Sequence, residues 1–515
     1  MNFVIIKRRN AAFIGFLSAI LIIFLGNTIE NMHLFWPGDS YSIALFLLQS
    51  FLYICSVAIF FILPGSLLSL IFMKGRTPFY AFSAYIILSG IVLILSIMFL
   101  LKIFFIVPVG CKELLRALFV FMMLESIVLW YQGNRVKELV VTNIEKKYFV
   151  NTFLLVFMCI LLGWVFQDIV LWTFVDTDFS VEHVLSIPLS EQGDVFEHFG
   201  RGSSLLSYLW PYWDLEYANR FGYIVTDPPL CHYLLAFFIA LFGNMYSTAS
   251  LQSFLFFILC LMAVFTTVHF DSKKRITFAE ICVLSFFCLL YWCVILSSSG
   301  AHDVLIDMSY LMTYCTIMQF LFLLNNRYKS FVLFAVAAFL CQYEAMFFTV
   351  LGIVYLLWSA YKKEVFRAFL FYLYVVIVYF TFIVYLGIVT GDINVYIESL
   401  LIEKFIRVDW LHCLDIFYEK SVIGWDSFNW QGSLSFIKWF LIMTLGFGVV
   451  LIFPGKDKTS KLFSFIGIIY FLTVMFSRYY RMNYLTPLIM FFLIVFLRKI
   501  FHGKSLRYVG DRKNE

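Results

Sequence analysis

Charge is scarce along this chain: Asp, Glu, Lys and Arg make up 13% of its 515 residues, against 63% hydrophobic and 21% aromatic. A soluble globular domain carries about a quarter charged residues, so that class is excluded. There is no CxxC pair and no Cys/His spacing that suits zinc; the 11 cysteines are scattered, mostly inside apolar runs. They read as small buried residues rather than a metal or disulfide framework. No small-residue cleavage site follows the first apolar run, Ala11 to Leu25, which stands behind Lys7, Arg8 and Arg9. It reads as a retained first span, not a removed signal peptide. Also missing are low-complexity tracts, internal repeats and the alternating pattern of a membrane β-barrel.

What is present is one apolar run after another, each of roughly 18 or more residues and so long enough to cross a hydrocarbon core of about 30 Å. Lipid-exposed backbone has no water to bond, so the spans are expected to be helices and the fold class all-α, a polytopic membrane protein. Fourteen candidate spans fall at 11–28, 43–72, 79–103, 114–131, 149–172, 250–270, 276–297, 304–324, 329–342, 345–361, 366–389, 435–453, 462–478 and 482–498. With the N-terminus inside, the basic residues of the alternate turns fall on the cytoplasmic side, from Lys74 and Arg76 to Arg498 and Lys499. Lys112 and Arg116 are the exception. The net charge of +5 is therefore a topology signal and gives no basic patch for nucleic acid.

That topology leaves two large segments on the outer face, 173–249 and 390–434. The first holds nine acids between Asp176 and Asp227 against only Arg201 and Arg220. Within it, "GDVFEHFGRGSSLL" (193–206) sets Asp194, His198 and Arg201 at helical spacing on one stripe, with Glu197 beside them. Downstream, "YIVTDPPLCHYLLAFFIALFG" (223–243) places Pro228 and Pro229 before an apolar segment, 230–242, that at 13 residues is too short to span. Were it to span, every later turn would invert, so it is expected to be a re-entrant or interfacial helix. A solvated interfacial helix with internal ion pairs is the alternative reading of the cluster.

These motifs, in this order and on one face, resemble the GT-C superfamily of membrane-embedded glycosyltransferases, which includes protein O-mannosyltransferases and bacterial lipid A aminoarabinose transferases. "SSSGAHDVLIDMSYLMTY" resembles the family's outer loop entering a span through an Asp, here Asp303. "FAVAAFLCQYEAMFFTVLGIVYLLW" resembles its broken pair of short helices, and "SRYYRMNYLTPLIMFFLIVFL" its last outer turn, with Pro487 in the final span. The likeness covers about 150 to 500. Residues 1–131 resemble the extra N-terminal bundle of some bacterial members, and no chemistry attaches to them.

The resemblance implies a sugar carried on a polyprenyl phosphate and transferred to a glycan, lipid or protein acceptor. Such chemistry needs a carboxylate to take the acceptor's proton, cations to stabilise the departing phosphate, and an apolar groove for the lipid tail. Asp194 is the first candidate for the base, with His198 on its own face; Asp176 and Asp178 in "FVDTDF" are the rival pair. That "DTD" also resembles a metal-holding DxD, which makes Mg²⁺ or Mn²⁺ a candidate cofactor, although a monophosphate donor requires none. Helix-end acids at an interface are the bland alternative. Arg478 and Arg481, against the positive-inside trend, suit phosphate oxygens, and Tyr479 and Tyr480 the headgroup or sugar; snorkelling cations in an aromatic belt are the alternative. Arg201 and His232 join them as donor-phosphate or lipid ligands. Other members place a Lys before the Pro pair where this chain has Asp227. Glu197, Asp227, Pro228, Pro229, His302, Asp303 and Glu344 are expected to line the pocket, Glu344 because a carboxylate between two short apolar helices is costly unless it faces water or a partner.

The expected organisation is an N-terminal four-span bundle (1–131), a cytoplasmic linker (132–148), a GT-C-like catalytic module (149–500) and a basic cytoplasmic tail (501–515). The expected location is a bacterial cytoplasmic membrane, with both termini inside and the site on the outer face. A transporter, flippase or polymerase-type protein of envelope glycan assembly is the competing function. It predicts mid-bilayer charges and pseudo-symmetric halves, neither of which the sequence displays. A non-catalytic scaffold is the third.

Overall fold

The structure is a computed structural model and describes residues 3–29, 55–104, 108–133, 135–142, 200–208, 212–213, 223–224, 228–242, 246–270, 309–359, 363–390, 457–475 and 485–502. The fold is predominantly helical, as expected of an all-α membrane protein of the GT-C type. The chain divides into two compact units, one made of Met1–Val225 with Pro229–Leu255, the other of Thr226–Pro228 with Phe256–Glu515.

The first unit opens with β1 (Phe3–Ile6), α1 (Arg8–Ile29) and α2 (Cys55–Phe72). These are followed by β2 (Gly75–Pro78), α3 (Phe79–Ile103), α4 (Cys111–Gln132) and β3 (Leu139–Thr142). Among the described residues α2, α3 and α4 are long and apolar enough to cross a membrane. Their outward residues are apolar too: Val92, Phe99, Val120, Leu124 and Ile127 are exposed, an arrangement suited to lipid and not to water. Residues 58–62 of α2 form a π turn just before Pro64, whose missing N–H cannot continue the α ladder.

Helices lacking a hydrophobic drive toward each other in lipid pack through small residues. Gly65 of α2 lies so close to α3 that an added Cβ would stand 2.5 Å from the Ile86 carbonyl oxygen and 2.7 Å from the Gly90 nitrogen. Both obstacles are backbone, so no side chain can swing aside. Gly65→Ala is expected to separate α2 from α3 and cut the yield of folded protein severely, whereas the exposed Val92→Ala should not; detergent-resistant thermal unfolding of the two variants checks this.

An unexpected three-stranded sheet, order β1-β3-β2, closes one end of the bundle. β3 pairs antiparallel with β1 (Phe3 opposite Thr142) and parallel with β2 (Gly75 opposite Leu139). It lies inside the expected linker. Gly75 makes the turn from α2 into β2 with φ of 73°. Arg8, 2% exposed, ties the helix ends to the sheet: Nε donates to the Leu70 carbonyl at 3.3 Å, and its two terminal nitrogens to those of Lys137 and Met73 at 2.5 Å each. The last carbonyls of α2, which have no intrahelical partner, are satisfied in this way. Lys7, Lys74, Arg76, Arg135 and Lys137 flank the same sheet, so the basic turns of the N-terminal bundle converge at one end.

The opposite end of the bundle receives residues 200–208, a short helix and turn, and then β4 (Tyr212–Trp213) paired with β5 (Tyr223–Ile224). α5 (Leu230–Phe242) follows and packs on α3 and α4. Its 13 residues match the expected short segment, and every one of them is buried. α5 is thus enclosed by protein on all sides. α6 (Tyr246–Val268) contains the boundary between the two units.

The second unit contains α7 (Ser309–Leu324), α8 (Tyr328–Cys341), α9 (Glu344–Ser359), α10 (Lys363–Thr390), α11 (Lys458–Met475) and α12 (Leu485–His502). Its centre is aromatic: Phe320 of α7 meets Phe463 of α11 edge-on at 5.8 Å, and Phe348 of α9 meets Phe491 of α12 at 5.5 Å. Thr349 donates to the Gln319 side chain at 3.2 Å, a polar link between two otherwise apolar helices. The α7–α8 turn closes with Asn326 at φ 57°, the Asn326 N–H bonding to Leu323 and that of Arg327 to Phe322, a left-handed cap that satisfies the end of α7.

Candidate active site

The α5 region is where expected site residues and described structure coincide. Pro228 and Pro229 are buried immediately ahead of α5, and the Pro229 carbonyl accepts the first helical bond, from the Tyr233 N–H at 2.9 Å. A proline at a helix start forfeits no hydrogen bond and presets φ, which is why the Pro pair fixes where α5 begins. His232 lies in the first turn at 2% exposure and Arg201 in the helix 200–204 at 5%. Gly202 brings the two segments together: a Cβ there would meet the Leu235 side chain at 2.9 Å. Leu205 beneath is fully buried, and the Leu206 carbonyl accepts from the Val109 N–H at 2.9 Å, which ties the segment to the start of α4.

One residue of this site is absent from the sequence-based list. Lys102, in the last turn of α3, is 6% exposed. Its Nζ donates to the Tyr208 carbonyl and lies over the Tyr233 ring, 5.0 Å from the centroid. The only sequence signal was a lysine inside an apolar run, which by itself reads as a snorkelling cation.

In the second unit Glu344 opens α9 directly after a break: Gln342 is extended, with φ −154° and ψ 148°, and separates α8 from α9. The broken pair of short helices is therefore real. Phe339, Tyr343, Tyr379 and Phe380 stack around that break, Tyr343 on Phe380 at 6.0 Å. Asp194, Asp176, Asp178, His198, Glu197, Asp227, His302, Asp303, Arg478, Tyr479, Tyr480 and Arg481 lie outside the described residues. Of the expected set, the structure brings Arg201, Pro229 and His232 into one buried region of the first unit, and Pro228 is buried directly before Pro229 in the chain.

Residues 226–387, beginning two residues before the Pro pair and running through most of α10, match the family model of dolichyl-phosphate-mannose-protein mannosyltransferases. Over that segment, about a third of its length, the chain is similar to membrane glycosyltransferases of the GT-C type. No curated protein and no solved structure matches it. The matched segment contains α5, the turn at Asn326 and the α8–α9 break.

Proposed function

We propose that the transferase moves a sugar from a polyprenyl-phosphate-linked donor to a glycan, lipid or protein acceptor at the outer face of a bacterial cytoplasmic membrane, both termini being cytoplasmic. The observation that carries this reading is the family match, which takes in Pro228, Pro229 and the short helix after them, buried throughout its length. In the reaction the acceptor oxygen bonds to the anomeric carbon as the anomeric carbon–phosphate oxygen bond breaks. The acceptor's proton goes to a carboxylate, Asp194 first and Asp176 or Asp178 as the rivals, and polyprenyl phosphate departs with the electron pair. His198 orients the base. Arg478, Arg481 and Arg201 neutralise charge growing on the phosphate, since guanidinium forks match phosphate oxygens. Tyr479, Tyr480 and His232 hold the headgroup; Glu197, Asp227, His302, Asp303 and Glu344 line the pocket. The catalytic module is 149–500, preceded in the chain by the bundle 1–131.

The test is mass spectrometry of lipid-linked sugars and envelope glycans in cells from which the chain has been deleted. The expected result is accumulation of one polyprenyl-phosphate sugar with loss of that sugar from one acceptor. Unchanged profiles of both would overturn the proposal.

A further inference from the structure

Lys102 is placed unlike a lysine that serves only the helix it ends. A snorkelling side chain reaches water, but this one is 6% exposed. A lysine capping its own helix bonds to the last carbonyls of that helix, whereas Nζ of Lys102 donates to the carbonyl of Tyr208, 106 positions away. An ammonium carries three donors. Tyr208 takes one and the Tyr233 ring faces the charge from another side. Among the described residues no carboxylate lies within salt-bridge distance of it. Among those residues the buried charge has no counter-ion, a costly setting that an aromatic face with one carbonyl only partly offsets. The positive charge also sits against the first turn of α5, the end at which a helix favours an anion.

We propose that Lys102 binds the phosphate of the lipid-linked substrate, so that the N-terminal bundle, through α3, contributes a ligand to the donor site. The inference rests on the donor class proposed above. The ligand chemistry is a phosphate ester, completing the third donor of the ammonium and neutralising it in a buried setting. Arg201, on the segment packed against α5 through Gly202, supplies a second buried cation in the same unit. The tail then lies along the apolar exterior of the bundle, and the four-span addition becomes part of substrate recognition.

The test uses the full chain in nanodiscs of neutral phosphatidylcholine, with farnesyl phosphate, farnesol, phosphatidylglycerol and inorganic phosphate as probes. Wild-type protein, Lys102→Met and Lys102→Arg are compared for affinity and for melting temperature without ligand. Met is close to Lys in volume and apolar, so removal of an uncompensated charge should leave the ligand-free melting temperature unchanged or raised. Farnesyl phosphate affinity should fall at least tenfold in Lys102→Met, farnesol binding should be unaltered, and Lys102→Arg should retain most of the affinity.

Equal farnesyl phosphate affinity in Lys102→Met and wild type would overturn the proposal. So would a lowered ligand-free melting temperature rescued by Lys102→Arg without change in affinity, the mark of a structural tie. Lys102-dependent binding of phosphatidylglycerol or inorganic phosphate as tight as that of farnesyl phosphate would replace the donor-lipid assignment with a general anion site. Lys102-dependent farnesyl phosphate binding in a protein with no transfer activity would leave this site standing and remove the transferase mechanism. Wild-type donor KM in Lys102→Met, with transfer intact, would do the reverse.

Discussion

Asp194→Asn is expected to abolish sugar transfer, with kcat falling about 10²- to 10⁴-fold, the usual worth of general-base assistance. The amide is nearly isosteric with the carboxylate and accepts hydrogen bonds but not the acceptor's proton, so donor KM should change little. A loss confined to kcat separates a base from a residue that merely binds sugar. Asp176→Asn and Asp178→Asn should each cost less than about tenfold, well under the worth of a general base. Steady-state transfer rates of the three variants decide the matter: near wild-type turnover by Asp194→Asn, with collapse in one of the others, would move the role to "DTD". Membrane insertion should be unaffected in all three, because none of these side chains belongs to an apolar run.

Arg498→Met is expected to lower the stability of the second unit by about 3 kcal/mol, the lower end of the range for breaking a buried ion pair, because the partner Asp457 is 31% exposed. Arg498, 5% exposed, joins three helix ends. Its Nη1 donates to the carbonyls of Thr267, Val268 and Phe270 at 2.7, 3.1 and 2.9 Å, satisfying the end of α6. Nε and Nη2 grip Asp457 Oδ2 at 2.9 and 2.8 Å. Asp457 in turn caps α11, accepting from the Ser460 N–H at 2.9 Å and the Ser460 hydroxyl at 2.7 Å. A lysine side chain at this position keeps the charge and loses the fork, so Arg498→Lys should rescue less than half of the deficit. Thermal unfolding of the three proteins supplies the comparison.

The same network carries a pH signature. Burial alone would raise the Asp457 carboxyl, but the Ser460 N–H, the Arg498 guanidinium and the Ser460 hydroxyl outweigh it and hold the group below its ordinary value. A carboxyl lowered by folding contributes stability that is complete above its unfolded pKa, about 4, and is lost as pH falls through the folded value. Wild-type protein should therefore lose stability relative to Asp457→Asn as pH drops below about 4, and the two curves should run parallel above it.

Among the described residues, helices were legible where the signal was local. The run 79–103 and the observed Phe79–Ile103 coincide, as do 230–242 and Leu230–Phe242, because unbroken hydrophobicity and a Pro pair are written in consecutive residues. The break at Gln342 was equally visible, a polar CQYE between two apolar stretches. The three-stranded sheet was not: each strand has four residues, and their pairing joins positions 3, 75 and 139, a relation no window contains. Arg498 shows the same limit. By topology it is one more cytoplasmic cation, and only the return of α12 beside the end of α6 turns it into a cap. Lys102 had a sequence signal, one charge in an apolar helix, but its burial depends on Tyr208 and Tyr233 arriving from more than a hundred residues downstream. Within the candidate site, Pro228, Pro229 and His232 stood out because a Pro pair directly before a 13-residue apolar run is written in consecutive residues.

The most direct measurement of the central claim is a reconstituted transfer assay with the purified full chain and a radiolabelled polyprenyl-monophosphate sugar. The account predicts that polyprenyl phosphate is released in step with labelled acceptor, and that a nucleotide sugar supplied without lipid carrier yields neither. Transfer from the nucleotide sugar alone, or export of the intact lipid-linked sugar across the bilayer with no bond cleaved, would contradict it.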